Sequence, residues 1–373
     1  MNILFCTFSY YPAIAGGAER QARLQAGELA RRGHHVTVVC PRDPGMRSGP
    51  VDGVPVVRLA MVEQHPFKQL SYYLRLWPWL WQHVGKFDLV HVHQANLQAD
   101  LAVLVARRHR RPTYLLVACG GPVGEVQSLR RVARLTRWYG LRHADRIQAL
   151  SSEITNELTS IGVRPDRVVE IPNGIDLDDF APVDDDRRRE LRAPLGLPQA
   201  TLIALFVGRL APYKGIDDLL LAWRQGDFGP TRLVIVGATN ERLEAPPGVT
   251  IRGWVDSARK YMQAADLFIH PTHADGMSNA LLEAMACGLP FVATEHGATR
   301  GFIAHEREGL LVPPRDPKAL TAAIARLTAD AELRQSLGRA ARVSAERYGL
   351  HRVVDRIETE YRALVERSRS RRT

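Results

Sequence analysis

The sequence has few of the features that mark secreted or membrane-spanning proteins. Its 373 residues include four cysteines without paired spacing, which argues against a disulfide framework or a cysteine-bound metal. No apolar run reaches the roughly 20 residues needed to cross a bilayer. Residues 1–6 have neither the length nor the charge of a signal peptide and predict a buried strand. We therefore expect a cytoplasmic protein.

Lysine is scarce as well, with 5 residues, so arginine carries almost all of the formal net charge of +10. Most of these arginines are expected on solvated helix faces. The alternative is an attraction to phosphates or to an anionic membrane surface. Nucleic acid is not an expected partner, because the chain has no signature of a nucleic-acid-binding fold.

Short apolar, β-rich runs alternate with helical segments along the whole chain. The length suits two domains, and the alternation predicts an α/β fold with parallel sheets and helices on both faces. Turn residues at 171–176 and a polar run at 184–190 indicate a domain boundary near 172–194. A last helix over 350–367 is expected to pack back onto the first domain.

Two glycines follow the first predicted strand. Gly16 and Gly17 precede a helix that starts near Glu19, so the backbone could approach a ligand closely beside helix-start amides. A tight turn alone would explain them equally well. The Gly-x-Gly-x-x-Gly fingerprint is absent, which argues against a dinucleotide oxidoreductase.

A more informative loop follows the strand predicted over 202–207. It reads Gly-Arg-Leu-Ala-Pro-Tyr-Lys-Gly and places Arg209 and Lys214 at the carboxyl end of a strand, where open α/β sheets bind ligands. A guanidinium fork and an ammonium point charge suit a diphosphate. The alternative is a pair of solvated loop charges.

The segment 275–290 carries a second candidate site. Asp275 lies in a loop and Glu283 lies early in the following helix, with Ser278 as a helix cap. Helix-start amides bind anions, and carboxylates accept hydrogen bonds from sugar hydroxyls. An Asp-Gly turn and a first-turn charge would be the structural explanations.

Together these residues resemble the retaining glycosyltransferases of family 4. The resemblance covers nearly the whole chain, and its most specific parts are the 208–215 loop and the two acids separated by seven residues. It implies the GT-B architecture, with two Rossmann-like domains facing each other across a cleft. Residues 1–172 would bind the acceptor and residues 173–349 the nucleotide-sugar donor.

The resemblance also implies roles for the individual site residues. Arg209 and Lys214 would hold the diphosphate, and Asp275 would contact the donor sugar as the third catalytic residue. No metal ion or other cofactor would be needed. Contacts to the UDP- or GDP-sugar donor would come from Gly16, Gly17, Arg252, Gly276, Met277, Ser278, Asn279, Ala280 and Glu283.

Two positions depart from the family pattern. Asp275 stands where the family usually has Glu, which is expected to alter the preferred sugar. Many members carry a His after the fifth N-terminal strand, where this chain reads Val-Ala-Cys-Gly-Gly-Pro over 117–122. His91 and His93 come too early to replace it. We expect the backbone of 119–121 to shape the acceptor side.

The acceptor is expected to be a glycan, a lipid-linked molecule or a small molecule. An aromatic-rich stretch at 71–87 and an arginine-rich amphipathic stretch at 127–142 are each compatible with a membrane interface or with ordinary core packing. The leading hypothesis is a glycosyltransferase of cell-surface polysaccharide or glycolipid synthesis. A peripheral position at the inner face of the plasma membrane is compatible with this role. A non-catalytic nucleotide-sugar-binding subunit and a nucleotide-sugar epimerase are the alternatives.

Overall fold

We describe a computed structural model over residues 1–12, 16–62, 67–121, 124–127, 139–237 and 244–370. The chain divides into two compact units. The first comprises Met1–Gly174 together with Leu350–Thr373, and the second comprises Ile175–Gly349. The division after Gly174 lies two residues beyond the boundary expected after residue 172.

The first unit contains an eight-stranded sheet with the order β3-β4-β2-β1-β5-β6-β7-β8. All neighbouring strands are parallel except the pair β3 and β4. The strands are β1 Asn2–Cys6, β2 His35–Pro41, β3 Gly49–Val51, β4 Val54–Leu59, β5 Leu89–His93, β6 Thr113–Val117, β7 Arg146–Ala149 and β8 Val168–Glu170.

The second unit contains a six-stranded, fully parallel sheet with the order β11-β10-β9-β12-β13-β14. The direction of strand addition reverses between β9 and β12, so the loops after these two strands meet at a topological switch point. The strands are β9 Ile203–Val207, β10 Arg232–Val236, β11 Val249–Ile251, β12 Leu267–His270, β13 Phe291–Thr294 and β14 Leu310–Val312.

Helices connect most of the strands and cover the two sheets. In chain order they are α1 Gly17–Arg31, α2 Lys68–His83, α3 Leu97–Arg108, α4 Tyr139–His143, α5 Ser152–Ser160, α6 Asp185–Arg192, α7 Ile216–Gln225, α8 Arg259–Ala264, α9 Asn279–Ala286, α10 Gly297–Arg300, α11 Pro317–Ala329, α12 Ala331–Ala345 and α13 Leu350–Ser370.

Each unit has its own hydrophobic core. In the first, α1 and α13 pack together over β1 and β2, with Leu29, Val38 and Tyr361 fully buried. In the second, α7 and α11 cover β9, β10 and β12, with Leu219 and Ile324 at the centre. Two parallel sheets carrying helices are the predicted α/β class, which is confirmed. The three-residue strands β3 and β14 were not predicted, since runs this short give little periodic signal.

Candidate active site

The loops after β9 and β12 are packed tightly against each other at the switch point. Gly215 has φ of +70°, and a Cβ added there would lie 1.9 Å from the carbonyl oxygen of Pro271. The amide of His273 also donates to the carbonyl of Tyr213 at 2.9 Å. Only glycine permits this approach of two backbones. The fold therefore brings residues 208–215 and 271–278 together.

This packing places Lys214 beside Asp275. Lys214 Nζ donates to Asp275 Oδ2 at 2.6 Å, and about a fifth of each side chain is exposed. The other carboxylate oxygen, Oδ1, accepts the amide of Gly276 at 3.0 Å. The sequence predicted separate partners for the two groups, a diphosphate for Lys214 and sugar hydroxyls for Asp275. In the structure they form an ion pair with each other.

Two neighbouring histidines remain neutral around this pair. Burial and, to a smaller extent, the nearby charge of Lys214 lower the pKa of His270 to about 3. Burial likewise lowers the pKa of His296. Burial alone would raise the pKa of the Asp275 carboxyl, but the positive charge of Lys214 outweighs this effect and the net shift is downward. Asp275 is therefore a carboxylate at neutral pH, and Lys214 is its cationic partner.

Arg209 differs from Lys214 in its surroundings. Its side chain is exposed at the carboxyl end of β9, and no described residue forms a hydrogen bond or ion pair with it. Burying an unpaired guanidinium would be costly, whereas an exposed one is available to an anion. The edge of the sheet thus presents one paired cation and one available cation.

Helix α9 starts at the end of the β12 loop. Ser278 caps it, accepting the amide of Leu281 at 3.3 Å through Oγ. Met277, Ser278 and Glu283 are buried, whereas Asn279 and Ala280 are partly exposed at its first turn. Glu283 lies in the second turn of this eight-residue helix, and its predicted contact with the ribose hydroxyls stays a prediction.

Arg252 follows β11 at the edge of the second sheet. Its guanidinium is exposed and donates from Nη2 to the carbonyls of Leu195 and Gly196, at 3.0 and 3.3 Å. These contacts give the side chain a local structural partner. Its predicted place near a nucleotide base stays a prediction.

Gly16 and Gly17 lie in the first unit, at the amino end of α1. Gly16 is extended, with φ of −82°, and its carbonyl accepts the amide of Arg20 at 3.2 Å. A Cβ at Gly16 would lie 3.0 Å from the Glu19 carboxylate. Both glycines therefore sit at the helix entry that the sequence indicated, and their predicted contact with the donor stays a prediction.

The histidines of this edge were not predicted as site residues. His270 ends β12 with both ring nitrogens buried and without a hydrogen-bond partner among the described residues. His273 Nε2 lies 2.7 Å from Asp218 Oδ2, which ties the β12 loop to α7. The only signal was the spacing His-x-x-His-x-Asp over 270–275. A separation of 55 residues along the chain hid the pairing with Asp218.

At the carboxyl edge of the first sheet, two carboxyl side chains accept hydrogen bonds from backbone amides of the loops. Glu125 accepts the amide of Ala95 after β5 at 2.6 Å and that of Ala118 after β6 at 2.8 Å. Glu157 accepts the amide of Gly121 at 2.8 Å. The loop that lacks the family histidine is thus fixed by two carboxylates.

The two histidines of β5 have structural surroundings. His91 and His93 are buried, and their rings stack at a centroid distance of 4.2 Å. Burial lowers the pKa of His93 to about 3. His91 also hydrogen-bonds the hydroxyl of Tyr361 on α13. Both therefore belong to the core, as their early position in the sequence indicated.

Within the described residues, no group of three or more His, Cys, Asp or Glu side chains could hold a metal ion. The same part of the chain contains no helix long and apolar enough to span a membrane. Of the two stretches considered for a membrane interface, residues 128–138 lie outside the described residues. The other forms α2.

Comparison with known proteins agrees with the two-unit architecture. The model of a glycosyl transferase 4-like domain matches residues 16–174, and that of the glycosyl transferases group 1 matches residues 201–330. A D-inositol 3-phosphate glycosyltransferase of Catenulispora acidiphila is 30% identical over 77% of this chain and 75% of its own.

Two further proteins are similar over most of their length. A Bacillus subtilis protein named as a glycosyltransferase of teichuronic acid biosynthesis is 26% identical over 87% of this chain and 89% of its own. The Anabaena protein HepE, solved in complex with UDP-glucose, matches 98% of this chain and 100% of its own with a TM-score of 0.81 at 21% identity. The chain belongs to the group 1, family 4-type glycosyltransferases with the GT-B fold and is an enzyme of the hexosyltransferase type.

Proposed function

We propose that this enzyme transfers a sugar from a uridine diphosphate sugar to an acceptor hydroxyl with retention of the anomeric configuration. The observation that carries the proposal is the Lys214–Asp275 pair, which lies with the exposed Arg209 at the carboxyl edge of the second sheet. Uridine is favoured over guanosine because HepE, which shares the fold, was solved with UDP-glucose.

The cations stabilise the departing diphosphate. Arg209 offers a bidentate fork to one phosphate, and Lys214 offers the ammonium protons that Asp275 does not occupy. Preorganised charge of this kind is most effective where negative charge develops in the transition state. In this proposal the two cations and the α9 amides do this work without a metal ion. Chelation by EDTA should therefore leave turnover unchanged.

The remaining residues select and position the donor. Asp275 keeps lone pairs on both oxygens that can accept sugar hydroxyls, and Glu283 holds the ribose hydroxyls. Amides from Gly276 to Ala280 contact the sugar and phosphate, and Arg252 lies near the base. The acceptor hydroxyl then attacks on the face from which the diphosphate leaves, which retains the configuration.

The acceptor belongs, in our proposal, to cell-surface polysaccharide or glycolipid synthesis. The name of the Bacillus subtilis relative supports a polymeric glycan. A basic chain with an aromatic α2 supports a peripheral position at the inner face of the plasma membrane. A nucleotide-sugar epimerase is the competing activity, because it would fit the same two-unit α/β architecture and use the same donor.

A donor screen followed by product analysis tests the proposal. UDP-, GDP- and ADP-sugars are compared by thermal shift, because a true donor stabilises the folded state by mass action. The best donor is then incubated with and without acceptor, and the anomeric product is assigned by NMR. We expect stabilisation by a UDP-sugar and an acceptor-dependent product with the donor's configuration. An inverted product, or a new sugar formed from donor alone, would contradict the proposal.

A further inference from the structure

Helix α2 exposes an unusually apolar face. Four of its residues and its N-cap are regularly spaced at intervals of three and four, and they are between 38% and 67% exposed: Phe67, Leu70, Leu74, Trp77 and Trp81. At 100° per residue these positions fall within one narrow arc of the helix. The opposite face is buried through Tyr72, Leu76 and Leu80. We call the exposed set the α2 stripe.

The stripe is more than scattered surface hydrophobicity. Trp77 and Trp81 stack on each other with ring centroids 6.2 Å apart, and Trp81 meets the ring of His109 at 5.2 Å. Contiguous exposed apolar patches mark interaction sites in soluble proteins. Tryptophan is further enriched where one side of a surface is apolar and the other is wet.

A cationic cavity adjoins the amino end of the stripe. It has a volume of about 330 Å³, and its lining includes Arg42, Arg47 and Lys68, with Asp43 as the only acid among the lining residues. None of the three cations forms an ion pair with a described residue. Three unpaired cations around one cavity favour an anion, for which phosphate is the best fit.

The cavity and the stripe form one continuous surface. Lys68 lines the cavity and is also the first residue of α2. The amide of Val62 in the cavity wall donates to Ser71 Oγ on α2 at 3.0 Å, and Arg75 on α2 donates to the carbonyl of Ala60 at 2.9 Å. Two hydrogen bonds therefore hold the cationic cavity beside the α2 stripe.

We propose that this surface docks the enzyme on an anionic phospholipid bilayer, with a lipid phosphate in the cavity and the α2 stripe in the interface. The inference deepens the peripheral location proposed above and rests on it. A phospholipid carries a phosphate next to apolar acyl chains. The phosphate matches the cationic cavity, and the apolar chains match the adjoining α2 stripe. Interfacial binding combines apolar burial with attraction to anionic lipids in this way.

Charge favours a bilayer over a second copy of the chain as the occupant. Residues 68–83 contain Lys68 and Arg75 but no Asp or Glu. Two copies facing each other through this surface would bring like charges together, which is destabilising. An anionic lipid surface instead gains from each cation within reach.

A vesicle flotation assay with the full-length protein tests the stripe. Phosphatidylcholine vesicles are compared with vesicles that also contain phosphatidylglycerol. We expect the protein to bind the anionic vesicles. Leu74→Ser and Trp77→Ser should each lower the affinity about tenfold or more, since each removes apolar area that the lipid interface would bury. Val343→Ser is the matched control, because Val343 is 65% exposed in the second unit. Equal loss in this control would overturn the proposal.

A charge-matched pair of double variants tests the cavity. Arg42→Gln with Arg47→Gln should weaken binding by about tenfold or more, since each cation near an anionic surface contributes about 1 kcal/mol. Arg187→Gln with Arg189→Gln on α6 removes the same charge elsewhere and should retain binding. If both pairs lose binding equally, attraction is only general and the cavity has no role, which overturns the proposal.

Two further outcomes would also overturn the docking surface. One is an absence of binding to anionic vesicles by the unmodified protein. The other is a dimer in sedimentation velocity that Trp77→Ser converts to monomer, which would assign the stripe to a second copy. Thermal shift with UDP-sugar is run on every variant. Retained donor stabilisation with lost vesicle binding separates a failure of docking from a failure of the proposed transfer function.

Discussion

The carboxyl edges of the two sheets hold charge in different ways. In the second unit, Lys214 and Asp275 form an ion pair at 2.6 Å beside the exposed Arg209. In the first unit, the carboxylate of Glu125 faces backbone amides of Ala95 and Ala118 instead of a cation. The same doubly wound topology therefore delivers loops to both edges, but their side chains make one edge suited to an anion and the other to fixing a loop.

The difference also shows in the pKa values. The positive charge of Lys214 lowers the pKa of the Asp275 carboxyl despite its burial. Burial raises the pKa of Glu125 to about 7, because the hydrogen bonds that it accepts from backbone amides only partly offset the effect of desolvation. A carboxyl group with a cationic partner is locked as an anion, and one without such a partner titrates close to neutral pH. Four changes test this contrast.

The largest expected effect is on turnover. Lys214→Ala should lower kcat by about 10²–10³, since removing one preorganised donor from a developing anion has this effect. Steady-state assays with the best UDP-sugar measure it. Lys260→Ala on α8 is the control, because Lys260 is an exposed lysine of the same unit. Comparable losses in both variants would show that the paired edge is not the site of chemistry.

The second effect is on folding of the charged edge. Gly215→Ala should lower the free energy of unfolding by about 2–4 kcal/mol, because the added methyl meets a backbone oxygen at a positive φ. Gly229→Ala is the matched control: its φ is +58°, but a Cβ there would have no neighbour within 4 Å. It should lose only about 1 kcal/mol. Urea unfolding compares the two, and similar midpoints would refute tight loop packing.

The third effect is on donor choice. Asp275→Glu adds one methylene beside Lys214 and should shift the ratio of kcat/KM between two UDP-sugars by about tenfold, with activity retained. Competition between UDP-glucose and another UDP-hexose measures the ratio. Asp217→Glu makes the same change at an exposed position on α7. An unchanged ratio in Asp275→Glu would remove the carboxylate from sugar selection.

The fourth effect concerns the carboxyl edge of the first sheet. Glu125 has a folded-state pKa of about 7, above its ordinary value of 4.5, so the native state holds the proton more tightly than the unfolded chain. Its contribution to stability is therefore fully present below about pH 4.5 and is lost as pH rises through 7.

Glu125→Gln cannot titrate and should lose this pH dependence. Between pH 4.5 and 7 the stability of the unmodified protein should fall relative to the variant by about 2–3 kcal/mol, because a difference of one pKa unit corresponds to about 1.4 kcal/mol. Urea unfolding at a series of pH values measures this fall. Glu19, which also raises this pKa, stays in place in both proteins. Glu170→Gln, on the surface of the same unit, should keep the dependence of the unmodified protein. A parallel pH profile for Glu125→Gln would reassign the titration.

Much of the fold could be predicted from local patterns. The strand predicted over 202–207 coincides with β9 to within one residue, because a short apolar run bounded by turns is a strong local signal. Strand–helix alternation then favoured parallel sheets. Strands β3 and β14 escaped prediction, since each depends on a neighbouring strand more than on its own three residues.

The candidate site divides in the same way. Ser278 as a helix cap and the glycine-flanked loop at 208–215 are local features, which made the location of the site predictable. Pairing of Lys214 with Asp275 spans 61 residues, and pairing of His273 with Asp218 spans 55. No local pattern contains that information.

The sequence by itself determined the kind of protein: a two-unit α/β glycosyltransferase with cations and acids at the ends of strands. Periodicity and turn chemistry act over a few residues, so they are written in the order of the chain. Tertiary structure decided which charges meet, which aromatic residues of α2 stay exposed, and that Glu125 joins two loops. These outcomes depend on the order of the strands in each sheet, because that order brings residues together that are distant in the chain. Burial and neighbouring charges shift a pKa only once those residues are in contact.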